Sequence, residues 1–199
     1  APQSKTTKEA LISYLGRIEY TYNDRYNLSV SLRSDGSSVF GTDNKWGTFW
    51  SAGASWRMEQ ENFMKDLTWI DQLKLRLSYG TSGNNQGLDR YQSLGLWDTG
   101  ADYIYGTASG TGHTQLANPN LRWEKQAMFN VGVDYRFLNR FYGSLEYFYK
   151  NSKDLLYNYP LAASNGFESV MMNMAKVANY GVEFTFGAYI LRDTPVKWN

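Results

Sequence analysis

Few residues in this chain are of types that could do chemistry, and they are widely separated. Its sole histidine, His113, lies in the glycine-rich segment 110–114. A catalytic triad or a zinc site needs partners at defined spacings, and none accompanies this residue. We therefore interpret His113 as a loop histidine. Cysteine is absent, which excludes disulfides, thiolate catalysis and cysteine-based metal sites.

Three glutamates raise the possibility of glycoside hydrolysis. Glycosidases place two carboxyl groups on either side of the scissile bond, one of them with a raised pKa. The candidates are Glu124, Glu146 and Glu183. They are far apart in the sequence, on the polar faces of predicted strands, and nothing beside them would raise one pKa. We interpret them as wall charges and predict that the protein is not an enzyme.

A calcium site and nucleic-acid binding are the other classes to weigh. Asp35, Asp43 and Asn44 could hold Ca²⁺ in a loop, but their spacing does not match an EF-hand. We therefore expect no metal and no cofactor. The chain has 20 Lys and Arg against 19 Asp and Glu, a formal charge of +1. Because nucleic-acid binding usually needs a basic surface, we expect no nucleic-acid partner.

The elements that position these residues are β-strands, because apolar and polar residues alternate in seven segments. Four segments alternate regularly, namely residues 26–33, 73–80, 129–137 and 182–190. Three less regular ones lie near 10–22, 46–58 and 140–150, and an eighth strand begins near Val196. Since alternate side chains of a strand leave opposite faces, each segment has one apolar and one polar face.

The links between these segments differ at the two ends of the predicted sheet. Tight links are predicted at 23–25, 138–140 and 192–195, all at one end. Longer loops, from Gly83 to Asn120, from about Asn151 to Asn179 and from Ser34 to Lys45, lie at the other. One longer link, Glu59 to Asp71, with a helical turn near 62–67, falls on the tight side. Short periplasmic turns and long extracellular loops are typical of outer-membrane barrels.

Hydropathy and aromatic content agree with a barrel. No apolar run approaches the roughly 18 residues of a helical span, and mean hydropathy is −0.54, but alternating strands average their hydropathy out. Aromatic residues make up 17% of the chain. Those near predicted strand ends would form a girdle at the membrane interface: Tyr20, Tyr22, Tyr26, Trp46, Trp56, Tyr79 and Tyr135. Alternatively these rings form the core of a β-sandwich, whose short strands rarely alternate over ten residues.

Five sequence blocks, in order, resemble the SusC/RagA-like TonB-linked outer-membrane proteins. They are Ser31–Ser38 running through Phe40-Gly41 to Trp46-Gly47, Leu73–Gly80 with Gly83-Asn84, Asn118–Glu124, Tyr147–Leu156 and Asn179–Glu183. Any block alone would be weak; together they cover most of residues 14–191. The resemblance implies an all-β, antiparallel, up-and-down transmembrane barrel of 22 strands with an N-terminal plug.

The resemblance also implies a function and partners. It predicts a TonB-dependent importer of oligosaccharides or oligopeptides, working in the bacterial outer membrane with a SusD-like surface lipoprotein. It allows a dimer of transporter–lipoprotein pairs. Seven or eight strands would leave open edges in lipid. We therefore expect residues 1–199 to be one part of the barrel domain, without signal peptide, plug, TonB-contact segment or final strand.

Candidate binding residues follow from the predicted loops and polar faces. Exposed aromatic rings in the Gly83–Asn120 loop could stack on sugars, although the loop could instead pack on itself or under a lipoprotein lid. These loop candidates are Tyr91, Trp97, Tyr103, Tyr105 and His113. Charged residues on polar strand faces could line the lumen. The basic ones could steer anionic ligands, although we expect most of them to be paired with nearby carboxylates: Arg33, Lys74, Arg76, Arg122 and Arg136. These lumen candidates are Arg33, Lys74, Arg76, Asp134, Arg136, Glu146 and Glu183.

A second hypothesis is a soluble or surface-attached all-β carbohydrate-binding module. It requires the apolar strand faces to meet in a closed core, whereas the importer hypothesis requires them to face lipid. Detergent dependence separates the two, because a lipid-facing sheet aggregates in buffer.

Overall fold

A computed structural model of the chain describes residues 8–99, 104–106 and 108–190. These residues form eleven strands. In chain order the strands are β1 (Leu11–Tyr22), β2 (Tyr26–Ser37), β3 (Trp46–Arg57), β4 (Ile70–Asn84), β5 (Leu96–Asp98), β6 (Ile104–Tyr105), β7 (Ala108–Ser109), β8 (Gly112–Gln115), β9 (Glu124–Phe137), β10 (Phe141–Pro160) and β11 (Ser169–Ala188). Seven of them pair in the order β1-β2-β3-β4-β9-β10-β11, and every pairing is antiparallel. The predicted all-β, up-and-down arrangement is confirmed.

The two tight hairpins have turns of the same backbone conformation. Asn23 and Asp24 have φ of 50° and 52°, and Leu138 and Asn139 both have φ of 53°. Two successive residues with positive φ give a turn whose twist matches that of the flanking strands. Asn and Asp tolerate this conformation, whereas a leucine rarely adopts it. The predicted links 23–25 and 138–140 are thus confirmed; the link 192–195 and the eighth strand lie outside the described residues.

The predicted loop from Asn151 to Asn179 is wrong. Strand β10 continues to Pro160 and β11 begins at Ser169, which leaves only 161–168 as a loop. The register shifts between Ser152 and Leu155, where Asp154 has φ of 56°. A second shift follows between Leu155 and Leu156 and restores the register, so the two faces of the strands are not exchanged. The alternation that marks β10 in the sequence ends here because residues 150–154 are all polar, although the strand continues.

Other boundaries also differ from the prediction. Strand β2 runs to Ser37, so the loop predicted from Ser34 contains only 38–45. The long loop after β4 carries two small hairpins, β5 with β8 and β6 with β7. In the link after β3, the helical turn predicted near 62–67 is present as a 3₁₀ turn at Asn62–Met64, and another 3₁₀ turn precedes it at Met58–Gln60. Over the described residues, no helix is long and apolar enough to cross a membrane.

Buried side chains are concentrated at the loop end of the sheet. The hydrophobic residues that are buried are Val39, Phe40, Phe49, Leu121 and Trp123. Along the strands the apolar face is open, with Ile18 at 74% and Phe184 at 66% exposure. A soluble monomer rarely exposes a continuous apolar patch larger than about 600 Å². The closed core that the binding-module hypothesis requires is not formed by the described part of the chain.

Candidate functional site

The polar face of the sheet carries a row of charged residues in register. Arg76 of β4 is paired with Gly132 of β9, Gly132 with Glu146 of β10, and Glu146 with Glu183 of β11. Lys74 is likewise paired with Asp134. Strand alternation places all seven lumen candidates on this same face: Arg33, Lys74, Arg76, Asp134, Arg136, Glu146 and Glu183.

Arg76 joins three strands through its guanidinium group. Its Nε lies 2.9 Å from Oδ2 of Asp134, and its Nη2 donates to Oδ1 of Asp134 at 2.9 Å. The same Nη2 donates to Oε2 of Glu146 at 3.2 Å. Arg76 reaches Glu146 across Gly132, where an added Cβ would lie 3.2 Å from Nη2. The glycine therefore leaves the space in which one arginine bonds two carboxylates.

The remaining charges on this face are distributed unevenly. Arg33 Nε lies 2.7 Å from Oδ1 of Asp35, a carboxylate that is almost fully buried. Lys74 and Arg136 form no ion pair within 4.0 Å among the residues that the structure describes. Lys74 and Arg76 line a concavity of about 430 Å³ that also includes Arg17 and Glu19. The face therefore combines neutralised pairs with cations that remain available to a solute.

Two of the three residues considered for calcium have other partners. Asp35 accepts the hydrogen bond from Arg33, and Asn44 donates its side-chain amide to the Pro119 carbonyl at 3.4 Å. Within the described ranges, no three His, Asp or Glu residues are close enough to hold a metal ion. The Asp35 carboxylate is therefore used in an ion pair within β2, and the Asn44 side-chain amide joins the loop after β2 to the segment that precedes β9.

An aromatic cluster forms between two loops. Trp97 of β5 is paired with His113 of β8, and their ring centroids are 3.4 Å apart. Phe167, from the loop between β10 and β11, places its ring 6.1 Å from His113 in an edge-on contact. Trp97 is 62% exposed. The sequence analysis missed Phe167, whose only signal was an aromatic residue in a segment predicted to be loop.

The other loop candidates are only partly described by the structure. Tyr91 has φ of 69°, and its carbonyl accepts a hydrogen bond from the Gln115 amide at 3.0 Å. Tyr103 lies outside the described residues. Tyr105 forms the short strand β6 with Ile104. The structure thus brings together Trp97 and His113 from the predicted set.

The loop end is held by a small core built from two distant sequence blocks. Trp123 packs against Phe40 at 5.0 Å and against Phe49 at 5.9 Å between ring centroids. Its indole Nε1 donates to the Lys45 carbonyl at 3.0 Å. Leu121 is completely buried beside them. The loop that follows β2 is thereby fixed to the segment that enters β9, and we call this cluster the loop-end core.

Two levels of aromatic rings bound the apolar face. Near the loop end, one row in direct register crosses four strands and comprises Tyr79, Phe129, Tyr149 and Tyr180. Near the tight turns, Phe137 pairs with Phe141, eight residues along each strand from the first row. Eight residues at about 3.3 Å each span ~26 Å. In a barrel strand tilted by ~40°, this length covers ~20 Å along the membrane normal, most of the ~25 Å apolar band between two aromatic girdles.

The seven predicted interface aromatics lie on this apolar face. Tyr20, Tyr22, Tyr26, Trp56 and Tyr135 lie toward the tight turns. Trp46 lies at the loop end and stacks on Tyr14 with 5.9 Å between centroids. Tyr79 lies inside β4, not at a strand end as predicted, because β4 continues to Asn84.

Glu61 organises the aromatic residues beside the first tight turn. One carboxylate oxygen accepts hydrogen bonds from the Tyr26 hydroxyl at 2.6 Å and the Trp56 indole at 3.1 Å. Its other oxygen accepts from the Arg25 guanidinium at 3.1 Å. These donors, the Tyr26 hydroxyl most strongly and then the indole, lower the pKa of Glu61. The sequence analysis missed this residue because the link carries no alternation.

A single-layer antiparallel sheet with one apolar face between aromatic rows, one charged face, and loops of unequal length is the wall of an outer-membrane β-barrel. The family model for the TonB dependent receptor-like beta-barrel matches residues 2–199. The chain belongs to that family, and its place is the bacterial outer membrane.

Similar proteins include both sequence relatives and solved structures. The TonB-dependent receptor P39 of Formosa agariphila is 37% identical over 193 residues, 96% of this chain and 18% of that protein. The TonB-dependent receptor SusC of Bacteroides thetaiotaomicron is 35% identical over 199 residues, 97% of this chain and 20% of that protein. The RagAB peptide importer in its closed-closed state aligns with a TM-score of 0.85 at 28% identity, covering 93% of this chain and 20% of that one. The chain spans about a fifth of the length of these relatives.

Proposed function

We propose that this chain supplies barrel wall and extracellular loops to a SusC-like, TonB-dependent importer of oligosaccharides or oligopeptides. The observation that carries the proposal is a sheet with one apolar and one charged face that superposes on the RagAB peptide importer with a TM-score of 0.85. A wall that separates lipid from an aqueous lumen needs these two faces. Likeness to SusC in sequence supports the same assignment.

The charged face lines the lumen in this proposal. Arg76 holds Asp134 and Glu146 in place, so these three charges form a rigid part of the wall. Lys74 and Arg136 provide positive charges toward a passing solute, and Glu183 provides a negative one. Mixed charges of this kind suit polar cargo, such as a peptide or a sugar with many hydroxyl groups.

Cargo capture is assigned to the aromatic cluster outside the membrane. Trp97 presents an open ring, with His113 and Phe167 behind it. Aromatic rings stack on apolar sugar faces and on peptide side chains. Such contacts are stabilised by the apolar area that they bury and by the geometry of the rings. The loop-end core keeps the nearby backbone in a defined position.

Partners follow from the same proposal. A SusD-like lipoprotein covers the loop side, TonB supplies energy through other parts of the full protein, and two such pairs can associate as a dimer. Energy delivered through TonB requires no nucleotide site in the wall. We accordingly propose no enzymatic activity and no cofactor for this segment.

The test uses the full-length protein in its native outer membrane. Uptake of labelled oligosaccharides and of labelled oligopeptides is measured with and without TonB, and for Trp97→Ala with Phe167→Ala. We expect uptake of one cargo class to require TonB and to fall about tenfold in the double variant. Phe63→Ala, an exposed ring at the opposite end, serves as control and keeps normal uptake. Uptake of neither class, or uptake independent of TonB, would contradict the proposal.

A further inference from the structure

Three lysines lie together on the apolar face, above the aromatic row near the loop end. Lys125 of β9 is four residues beyond Phe129, Lys153 of β10 is four beyond Tyr149, and Lys176 of β11 is four beyond Tyr180. The same offset on three neighbouring strands puts the three side chains at one level. We call these residues the lysine patch.

Strand register fixes the patch on the lipid-facing side. Lys125 and Lys153 are direct partners between β9 and β10. Lys176 lies opposite the bulge of β10, between the pairs Ser152–Val177 and Leu155–Ala175. Each lysine is an even number of residues from a ring of the aromatic row. The β9–β10 ladder is regular as far as Lys125 and Lys153, and the β10–β11 register is the same on both sides of the bulge. Alternation therefore directs all three side chains to the face that carries these rings.

The described part of the chain provides no counter-charge to the patch. All three side chains are exposed, and within the described ranges none has a carboxylate within 4.0 Å. Like charges directly opposite each other on paired strands destabilise a sheet, and their Cβ atoms are only ~5 Å apart. An anion placed between Lys125 and Lys153 would remove this repulsion. The arrangement therefore fits a ligand from outside the chain.

The level of the patch identifies the source of that anion. Four residues at about 3.3 Å place the lysines ~13 Å along the strand beyond the rings. Aromatic rows mark the interface of the hydrocarbon layer, so the patch lies at headgroup depth. Long lysine stems can lie along apolar surface while the ammonium group reaches a polar layer. Since the longer loops are extracellular, this is the outer leaflet.

We propose that Lys125, Lys153 and Lys176 bind the phosphate groups of an outer-leaflet lipid headgroup. The site is formed by the wall alone and does not depend on which cargo the protein carries. Its ligand would hold β9, β10 and β11 together at the point where β10 is bulged. It would also anchor the long β10–β11 hairpin at the membrane surface.

The experiment measures lipid binding to full-length protein purified in detergent. The probes are a lipid A carrying two phosphates, the same lipid with its phosphates removed, and inorganic phosphate. Each basic residue near an anionic lipid surface contributes about a fivefold gain in binding. We expect K125Q/K153Q to bind the phosphorylated lipid about 25-fold more weakly, and addition of K176Q to extend the loss to about 100-fold.

Matched variants separate this effect from folding and from net charge. K8Q/K65Q removes the same charge elsewhere and should bind like the unaltered protein, while K125R/K153R should retain binding. Equal binding of the two lipid forms, or of the lysine and control variants, would overturn the proposal. The proposal would also be overturned if inorganic phosphate bound as tightly as the lipid. The same holds if the lysine variants lost an acidic protein partner but still bound the lipid.

Discussion

The strand wall and the loop-end core are stabilised by different interactions. In the wall, side chains alternate between lipid and water, and apolar residues such as Ile18 stay open to the surroundings. In the loop-end core, Phe40, Leu121 and Trp123 are enclosed as in a small soluble protein. The wall is stabilised by backbone hydrogen bonds between its strands and by the lipid that covers its apolar face, whereas the core is stabilised by side-chain packing. The two regions should therefore respond differently to the same kind of substitution.

The largest effect is expected at the centre of the loop-end core. Trp123→Ala removes contacts with Phe40 and Phe49 and the hydrogen bond to the Lys45 carbonyl. Truncating a buried tryptophan costs about 3–5 kcal/mol. We expect the loop 85–123 of the full-length protein to become sensitive to protease while the barrel keeps its heat-resistant mobility in gels. Trp97→Ala, which truncates an exposed tryptophan, is the control, and equal sensitivity of both variants would contradict the comparison.

A smaller effect is expected where the wall joins three strands. Arg76→Met keeps an unbranched apolar stem but removes the guanidinium, which leaves Asp134 and Glu146 without their shared cation. Because the guanidinium is partly open to solvent, we expect a loss of about 1–2 kcal/mol, less than for an enclosed pair. Denaturant unfolding of the barrel in detergent measures it. Arg136→Met, on the same face without an ion pair among described residues, should change little.

The smallest effect concerns Glu61 and pH. Hydrogen bonds from Tyr26 and Trp56 lower the pKa of this carboxyl group in the folded state. A lowered pKa gives stability that is fully present above the unfolded pKa of about 4.3 and is lost as pH falls through the folded value. The difference in melting temperature between the unaltered protein and Glu61→Gln should be constant from pH 7 to 5 and shrink as the pH falls below about 4. A difference that did not shrink with falling pH would show that the carboxylate charge is not responsible.

The sequence predicts the wall well because period-two alternation is a local signal. All seven long strands were recognised in the sequence, and so were the hairpins at Asn23–Asp24 and Leu138–Asn139. It fails from Lys150 onward, where five successive polar residues interrupt the alternation and half of β10 and of β11 is predicted to be loop. Period-two alternation alone does not allow a strand to be followed through such an interruption.

The candidate sites likewise differ in how far the sequence predicts them. The lumen candidates could be placed on one face because each belongs to an alternating strand. The cluster of Trp97, His113 and Phe167 could not, since its members come from two loops whose approach depends on the fold. The loop-end core likewise joins residues about 80 positions apart, Phe40 with Leu121 and Trp123. Glu61 was missed because hydrogen bonds from Arg25, Tyr26 and Trp56 have no periodic signature.

The most direct test of the central claim, that one face of the sheet meets lipid and the other water, is a cysteine scan along β9. Single cysteines at Asn130, Val131, Val133 and Asp134 are placed in a cysteine-free full-length background in the outer membrane. We expect positions 130 and 134 to react with a charged thiol reagent, and 131 and 133 to be protected and, when labelled, quenched by brominated lipid. Reaction at all four positions, or the reverse alternation, would contradict the assignment of the two faces.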